Sequence, residues 1–263
     1  MRTLQWWQRG LAGVSILVLA FLYVPIAILV MFSFNDSAVT SFPLSGFTLR
    51  WYQAFLSNGQ MLAALKNSLL VALFATAVSV TVGVTAALAI DRYNFPGRKL
   101  FQNVILLPLS LPGIVTGIAM LNFYKQIGIP QSLFAVVIGH STALLGVVVS
   151  QVLARLSKLN SRMLEASSDL GAAPLETFWR VTLPNIKTSV VGSALLCFTL
   201  SFDEIPVTYF LTGRDVTLPI YIYSTLRRGI TPEINAVGTL IVAASFVTVV
   251  ASVVLLRDRK INS

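Results

Sequence analysis

The sequence predicts an all-α membrane protein with six transmembrane helices, folded as a single domain over residues 1–263. Hydrophobic residues make up 56% of the chain and charged residues only 11%, whereas soluble domains carry about 25% charged residues. Six apolar stretches are long enough to cross a bilayer, which takes about 20 helical residues. They are residues 11–34, 68–90, 104–124, 133–153, 189–211 and 236–256.

The first apolar stretch begins like a signal peptide, because Arg2, Arg9 and the pair Trp6–Trp7 precede it. The apolar run is longer than that of a signal peptide and lacks a small-residue cleavage site. We therefore expect a retained helix whose tryptophans lie in the membrane interface.

The basic residues predict the orientation of the chain. With the N-terminus inside, cytoplasmic segments contain 13 of the 19 Lys and Arg residues and outer segments contain six. Lys and Arg are enriched in cytoplasmic loops, so both termini and the polar segment 154–188 are expected there. The net charge of +9 then requires no nucleic-acid partner. The cytoplasmic set is Arg2, Arg9, Arg92, Arg98, Lys99, Arg155, Lys158, Arg162, Arg180, Lys187, Arg257, Arg259 and Lys260; the outer set is Arg50, Lys66, Lys125, Arg214, Arg227 and Arg228.

The polar segment contains the stretch LEASSDLGAAPLETFWRVTLPNIK, which is Leu164–Lys187. Residues 164–170 favour a helix, and Gly171 stands where a helix C-cap glycine belongs. Pro174 suits the first turn of a second helix, and Pro184 is expected to end that helix.

Two aromatic residues make this stretch a candidate binding surface. An exposed Phe178 and Trp179 beside charged residues would anchor a protein partner. The same amphipathic face would also suit a helix that rests on the cytoplasmic leaflet, so the residues alone leave both interpretations open.

Two adjacent carboxylates, Asp203 and Glu204, fall within the fifth predicted span. Each would cost about 2.5–3.5 kcal/mol at a helix centre facing lipid, so they are expected to face protein, water or a cation. They are either an acidic site on a pathway for a cationic substrate or a tie to another span, and we favour the pathway. Pro206 can break the helix beside them, and Tyr209 is a weaker candidate for the same pathway.

The third predicted span has an unusual start, LLPLSLPGIVTGIAM. Pro108 and Pro112 are four residues apart, and Gly113 and Gly117 form a GxxxG pattern that can let another helix approach closely. The single histidine, His140, is expected to make a polar contact between helices rather than to bind a metal.

The stretch Leu164–Lys187 resembles the cytoplasmic signature loop of ABC-importer permeases. That loop reads Glu-Ala-Ala, three residues, Gly, nine residues, an apolar residue, any residue, then Leu-Pro. Here it reads Glu165-Ala166-Ser167, then Gly171, then Val181-Thr182-Leu183-Pro184. The resemblance covers nearly the whole chain and is strongest to the second permease of spermidine/putrescine importers. Other stretches that carry it are FTLRWYQAF, CFTLSFDEIPVTYFLTG and LPIYIYSTLRRGITPEINA.

The resemblance implies a type I importer permease in the bacterial inner membrane, which moves a small solute inward by alternating access. Its partners would be a homologous second permease, two cytoplasmic ATPase subunits and an outer substrate-binding protein. The chain has no glycine-rich phosphate loop ending in Lys-Ser/Thr, so it is expected to be no enzyme and to bind no cofactor. ATP and Mg would bind to the ATPase subunits. The residues expected to couple to them are Glu165, Ala166, Gly171, Phe178, Leu183 and Pro184.

The solute expected from the resemblance is a polyamine, but one residue departs from the pattern. Polyamine permeases are expected to carry an acidic residue just after the second proline, where this chain has Gly113. Aminoethylphosphonate, opines and iron complexes therefore remain alternatives. An ion-coupled secondary transporter would suit the broken third span, but the sequence shows no internal repeat and such a protein would have no use for the signature loop.

Overall fold

The computed structural model describes residues 2–227, 229 and 231–257, and the regular secondary structure of this part of the chain is helical, with one isolated bridge between Asn35 and Phe47. The all-α class is therefore confirmed. The helices are α1 (Arg2–Ser33), α2 (Arg50–Ser57), α3 (Gly59–Arg92), α4 (Arg98–Ser110), α5 (Gly113–Gln126), α6 (Leu133–Leu156), α7 (Ser161–Asp169), α8 (Pro174–Thr177), α9 (Leu183–Phe202), α10 (Pro206–Leu211), α11 (Leu218–Leu226) and α12 (Pro232–Arg257).

Four helical segments in the described residues are long and apolar enough to cross a membrane, or five if the bent pair α4–α5 counts as one span. The sixth predicted span lies on α12, whose described apolar part is Pro232–Phe246. Six spans, one domain and cytoplasmic termini stay predictions. Arg228 and residues 258–263, with Arg259 and Lys260, lie outside the described residues.

The described chain divides into two units, of which the first comprises described residues of Met1–Leu62 and Ile222–Ser263. In this unit α12 packs against α1 and α2. Trp51 Nε1 donates a hydrogen bond of 2.8 Å to the Asn35 carbonyl and holds the loop between α1 and α2. Most apolar side chains of α1 are exposed, which suits a helix surrounded by lipid.

The second unit, Ala63–Tyr221, is built around α6, which packs against α4, α9 and α10. Helix α6 is apolar on all sides, as a helix at the centre of a packed bundle should be. One apolar cluster joins α3, α6 and α9 and includes the buried Cys197, and another joins α3, α5, α6 and α10.

The third predicted span consists of two helices separated by a sharp bend. Helix α4 ends at Ser110, α5 begins at Gly113, and their axes differ by 114°. Pro112 has no N–H to donate, and Leu111 before it is extended, with ψ of 141°. The residue before a proline is disfavoured in the helical region, so the chain turns here.

The fifth predicted span, 189–211, is also interrupted. Helix α9 ends at Phe202 and α10 begins at Pro206. Asp203 and Glu204 therefore lie in a turn, whereas the sequence prediction had placed them inside a helix. Pro206 cannot donate to the carbonyl of Phe202, and proline is favoured in the first turn of a helix. The helix therefore stops and restarts.

Pro184 does not end the short helix of the polar segment, which corrects a second prediction. Helix α8 passes into a π-helical turn, Phe178–Thr182, and then directly into α9. Proline at 184 cannot pair with the carbonyl four residues earlier. In the wider turn, the N–H of the preceding Leu183 donates to the Phe178 carbonyl, which is five residues back rather than four. The helix is therefore continuous over Pro174–Phe202.

Candidate substrate pathway and coupling surface

A cavity of 230 Å³ lies in the second unit where the two helix breaks meet. Among the described residues that line it, Glu204 is the one acid. Carboxylates in a membrane-spanning region commonly mark a substrate or ion pathway. The lining residues are Pro108, Leu109, Leu111, Gly113, Thr116, His140, Ala143, Leu144, Leu200, Ser201, Glu204 and Val207.

The half-buried Glu204 accepts two hydrogen bonds in this turn. Its Oε1 accepts a hydrogen bond of 2.8 Å from the Val207 N–H and so caps the start of α10. The Thr208 hydroxyl donates to its backbone carbonyl at 2.9 Å. The carboxylate can therefore stay ordered by its cap while it accepts a further hydrogen bond from a cation in the cavity.

Gly113 and Gly117 bring α5 against α10. A Cβ at Gly113 would lie 3.0 Å from Pro206 Cβ and 3.6 Å from Glu204 Oε1, and one at Gly117 would lie 2.8 Å from Phe210. The close approach predicted from the GxxxG pattern is therefore confirmed, and the helix that approaches is α10. An acid at position 113 would stand beside Glu204, so this chain keeps one carboxylate where two would meet.

His140 links the end of α9 to the start of α10. It is only 2% exposed, its Nδ1 lies 2.7 Å from Ser201 Oγ in α9, and its Nε2 lies 2.8 Å from Thr208 Oγ1 in α10. The Thr208 hydroxyl already donates to the backbone carbonyl of Glu204, so its oxygen accepts from the Nε2–H of His140. With its one ring proton on Nε2, His140 accepts from the Ser201 hydroxyl at Nδ1. The polar contact between helices predicted for His140 is confirmed.

Replacing Thr208 by valine should destabilise the protein measurably. Valine has the shape of threonine but leaves the buried Nε2–H of His140 without an acceptor, which costs about 1–3 kcal/mol. The expected result is a lower unfolding temperature of the purified transporter and a weaker apparent affinity for solute. Serine at 208 keeps the hydroxyl and is the matched control. Equal behaviour of Thr208→Val and Thr208→Ser would contradict the assigned hydrogen-bond chain.

The other two predicted pathway residues do not line this cavity. Asp203 follows the last turn of α9, and its exposed carboxylate makes no hydrogen bond or ion pair within the described residues. Tyr209 is exposed on α10, with its ring edge-on to Phe210 at 5.4 Å between centroids. The sequence prediction missed Ser201 and Thr208, whose signal was a hydroxyl inside an apolar run.

Among the predicted coupling residues, Gly171 lies in the turn between α7 and α8. Gly171 has φ of +80°, its N–H donates to the Ser168 carbonyl at 2.9 Å, and Ala172 N–H donates to the Ser167 carbonyl at 3.1 Å. These two bonds define a Schellman motif, which requires a left-handed residue and favours glycine. A Cβ on Gly171 would meet nothing within 4 Å, so the turn is open to a partner.

Exposure divides the predicted coupling residues into two groups. Glu165, Ala166, Gly171 and Pro184 are exposed, whereas Leu183 is half-buried. Phe178 is half-buried too, which corrects the expectation that it is exposed. It lies beside the buried Thr177, and both Phe178 and Leu183 pack against the apolar cluster of α3, α6 and α9.

The exposed apolar surface comes from other residues than Phe178. Leu170 is 88% exposed, Leu175 69% and Trp179 60%. Leu170 was missed because an apolar residue at a helix end usually packs inward. Large apolar side chains exposed on a polar segment suit an interaction surface. We call Leu170, Gly171, Leu175 and Trp179 the coupling surface.

Two hydrogen bonds tie the start of α9, which follows the coupling surface in the chain, to α6. Arg155 Nε in α6 donates to the Asn185 carbonyl at 3.0 Å, and Ser189 Oγ in α9 donates to the Gln151 carbonyl at 2.8 Å. Helix α9 then runs on without a break to the turn that carries Glu204. The polar segment and the cavity are thus the two ends of one helical path.

Residues 79–261 match the family described as binding-protein-dependent transport system inner membrane component. The chain belongs to this family and is a transport subunit. Among its relatives, the spermidine/putrescine transport system permease protein PotC of Escherichia coli (strain K12) is 35% identical over 94% of both chains. The putrescine transport system permease protein PotI of the same strain is 34% identical, over 88% of this chain and 85% of PotI.

The fold is similar to those of two solved importers. A chain of a bacterial ABC transporter involved in the import of the acidic polysaccharide alginate aligns with a TM-score of 0.74 and 17% identity, over 98% of both chains. A bacterial alginate ABC transporter in complex with an alginate pentasaccharide-bound periplasmic protein gives 0.71 and 20%, over 94% of this chain and 92% of the other. These identities establish the importer permease fold alone.

Proposed function

We propose that this chain is the permease subunit of an ATP-driven importer that moves polyamines into bacteria across the inner membrane. Relatives that are about a third identical over most of the chain are named for spermidine and putrescine transport. The observation that carries the proposal is Glu204, the one acid among the described residues that line the cavity. A carboxylate beside helix breaks suits an ammonium group, because broken helices leave carbonyl oxygens without donors.

The coupling surface suits docking to a cytoplasmic ATPase subunit. Two such subunits, which bind ATP and Mg, would close on ATP and pull this surface and that of a homologous second permease together. Because α9 is continuous, displacement at its start moves the turn at Glu204 at its end. The cavity would then open outward to accept solute from an extracytoplasmic binding protein.

Glu165, Ala166, Gly171 and Pro184 would contact the ATPase in this scheme, and Trp179 would add apolar contact area. Phe178 and Leu183 would act from within, because they join the segment to the apolar cluster of the spanning helices. An anionic solute such as a phosphonate is not favoured, since the charged group beside the cavity is itself an acid.

Uptake of labelled spermidine and putrescine tests the proposal. Cells that hold the other subunits should accumulate either solute only when this chain is present. Assembly of the complex and its ATP hydrolysis are measured in parallel, so that a failure to assemble is recognised. Solute uptake that does not depend on the chain, in cells whose assembled complex hydrolyses ATP, would contradict the polyamine assignment.

A further inference from the structure

Arg92, the last residue of α3, makes no ion pair within the described part of the chain. Its Nη2 donates to the buried hydroxyl of Thr182. Its Nε is buried and has no hydrogen-bond partner. The ion pairs of the described residues are Asp36–Arg50 and Glu176–Arg180, and neither includes Arg92. A buried cationic N–H without an acceptor is costly, and this side chain has no carboxylate partner within the described residues, so an anion beside the guanidinium would be favoured.

A second cavity lies directly beside this side chain. Its volume is 240 Å³, and a water molecule occupies about 30 Å³ in the liquid, so there is room for a phosphate group with its oxygens. The cavity lies between the end of α3 and the helices α7 and α8 of the polar segment. Its lining residues are Arg92, Leu164, Ser168, Ala172, Pro174 and Thr177.

The position of the cavity suggests which anion reaches it. Helix α3 is long and apolar enough to cross a membrane and ends at Arg92, so the guanidinium stands at the level of the lipid headgroups. The exposed Tyr93 follows it, and aromatic residues of this kind are enriched at that level. Lipid phosphate is abundant there, and the planar guanidinium matches phosphate oxygens with paired hydrogen bonds.

We propose that Arg92 and the adjacent cavity bind a phosphate group, supplied in the membrane by a phospholipid headgroup. The site joins α3 to the segment that carries the coupling surface, because Ser168 and Ala172 precede and follow Gly171. A bound phosphate therefore braces that segment against the spanning helices. The proposal does not depend on which solute is transported.

The test uses the assembled importer, extracted from the membrane and examined by native mass spectrometry for retained phospholipid. Arg92→Gln removes the charge, and Ala172→Leu fills the cavity while the Arg92–Thr182 hydrogen bond remains. Lys99→Gln removes an exposed charge seven residues further on and is the matched control. We expect Arg92→Gln and Ala172→Leu each to lose one retained phospholipid per chain and Lys99→Gln to keep it.

A titration with inorganic phosphate distinguishes a phospholipid headgroup from free phosphate as the source of the bound phosphate group. Inorganic phosphate is titrated into delipidated importer whose ATP sites are filled with a non-hydrolysable ATP analogue. Equal lipid retention in all variants, with binding of inorganic phosphate about tenfold weaker in Arg92→Gln, would support the site with free phosphate as its ligand. Equal lipid retention and equal phosphate binding in all variants would overturn the proposal.

Discussion

Replacement of Glu204 by glutamine is expected to reduce the uptake of spermidine or putrescine at least tenfold. A hydrogen bond to a charged group contributes about 1.5–3 kcal/mol, and each 1.4 kcal/mol corresponds to a factor of ten. Glutamine removes the charge but keeps the size of the side chain and an oxygen that can accept the Val207 N–H. The cap of α10 and the fold should therefore persist, and the loss is specific to the cation.

Asp203→Asn is the matched control for this experiment. It removes the same charge one residue away, from an exposed side chain that does not line the cavity. Uptake of labelled polyamine is measured in proteoliposomes that contain equal amounts of assembled importer, with ATP hydrolysis recorded alongside. We expect Asp203→Asn to retain most uptake. Equal losses in the two variants, or full uptake by Glu204→Gln, would show that the cavity is not the cation's path.

The second large effect is expected at Gly171, where arginine should abolish the association with the ATPase subunits. A non-glycine residue in the left-handed conformation costs about 1–2 kcal/mol, and both alanine and arginine incur this strain. A Cβ at Gly171 meets nothing within the described chain, so a longer side chain would project from the coupling surface. Gly171→Ala should bind the ATPase more weakly, and Gly171→Arg should lose both the ATPase and more than nine-tenths of the uptake.

Gly97 offers a control with the same local geometry. Its φ is +83°, close to the +80° of Gly171, and a Cβ there also meets nothing within 4 Å. Gly97→Arg therefore introduces equal backbone strain and equal bulk at the start of α4, at a residue that is not part of the coupling surface. Co-purification of ATPase subunits is the readout. If Gly97→Arg and Gly171→Arg lose the ATPase alike, strain and not the surface is responsible.

The sequence was sufficient for the all-α class and for the glycine turn, because apolar length and a C-cap glycine are local signals. It did not locate the ends of the helices around Pro112, Pro184 and Pro206. A proline only removes one donor, and neighbouring groups decide whether the helix bends, widens or stops. In this chain the three prolines give one result each: a bend of 114°, a π-helical turn and a restart.

The candidate site was less accessible from the sequence than the fold. Asp203 and Glu204 are neighbours of the same charge, and only the turn after α9 separates them into an exposed side chain and one that lines the cavity. His140 gave no sign of its partners, which are 61 and 68 residues away in the sequence. Contacts between distant segments depend on packing, which local patterns do not encode.

The unbroken helix from Pro174 to Phe202 has a mechanical consequence. Its 29 residues span about 43 Å at 1.5 Å per residue. A tilt of about 5° about one end moves the other end by about 4 Å, which exceeds the length of a hydrogen bond. In the proposed function, a small rotation of a docked ATPase subunit at the start of this helix would therefore displace the turn at Glu204 far enough to make or break contacts with a solute.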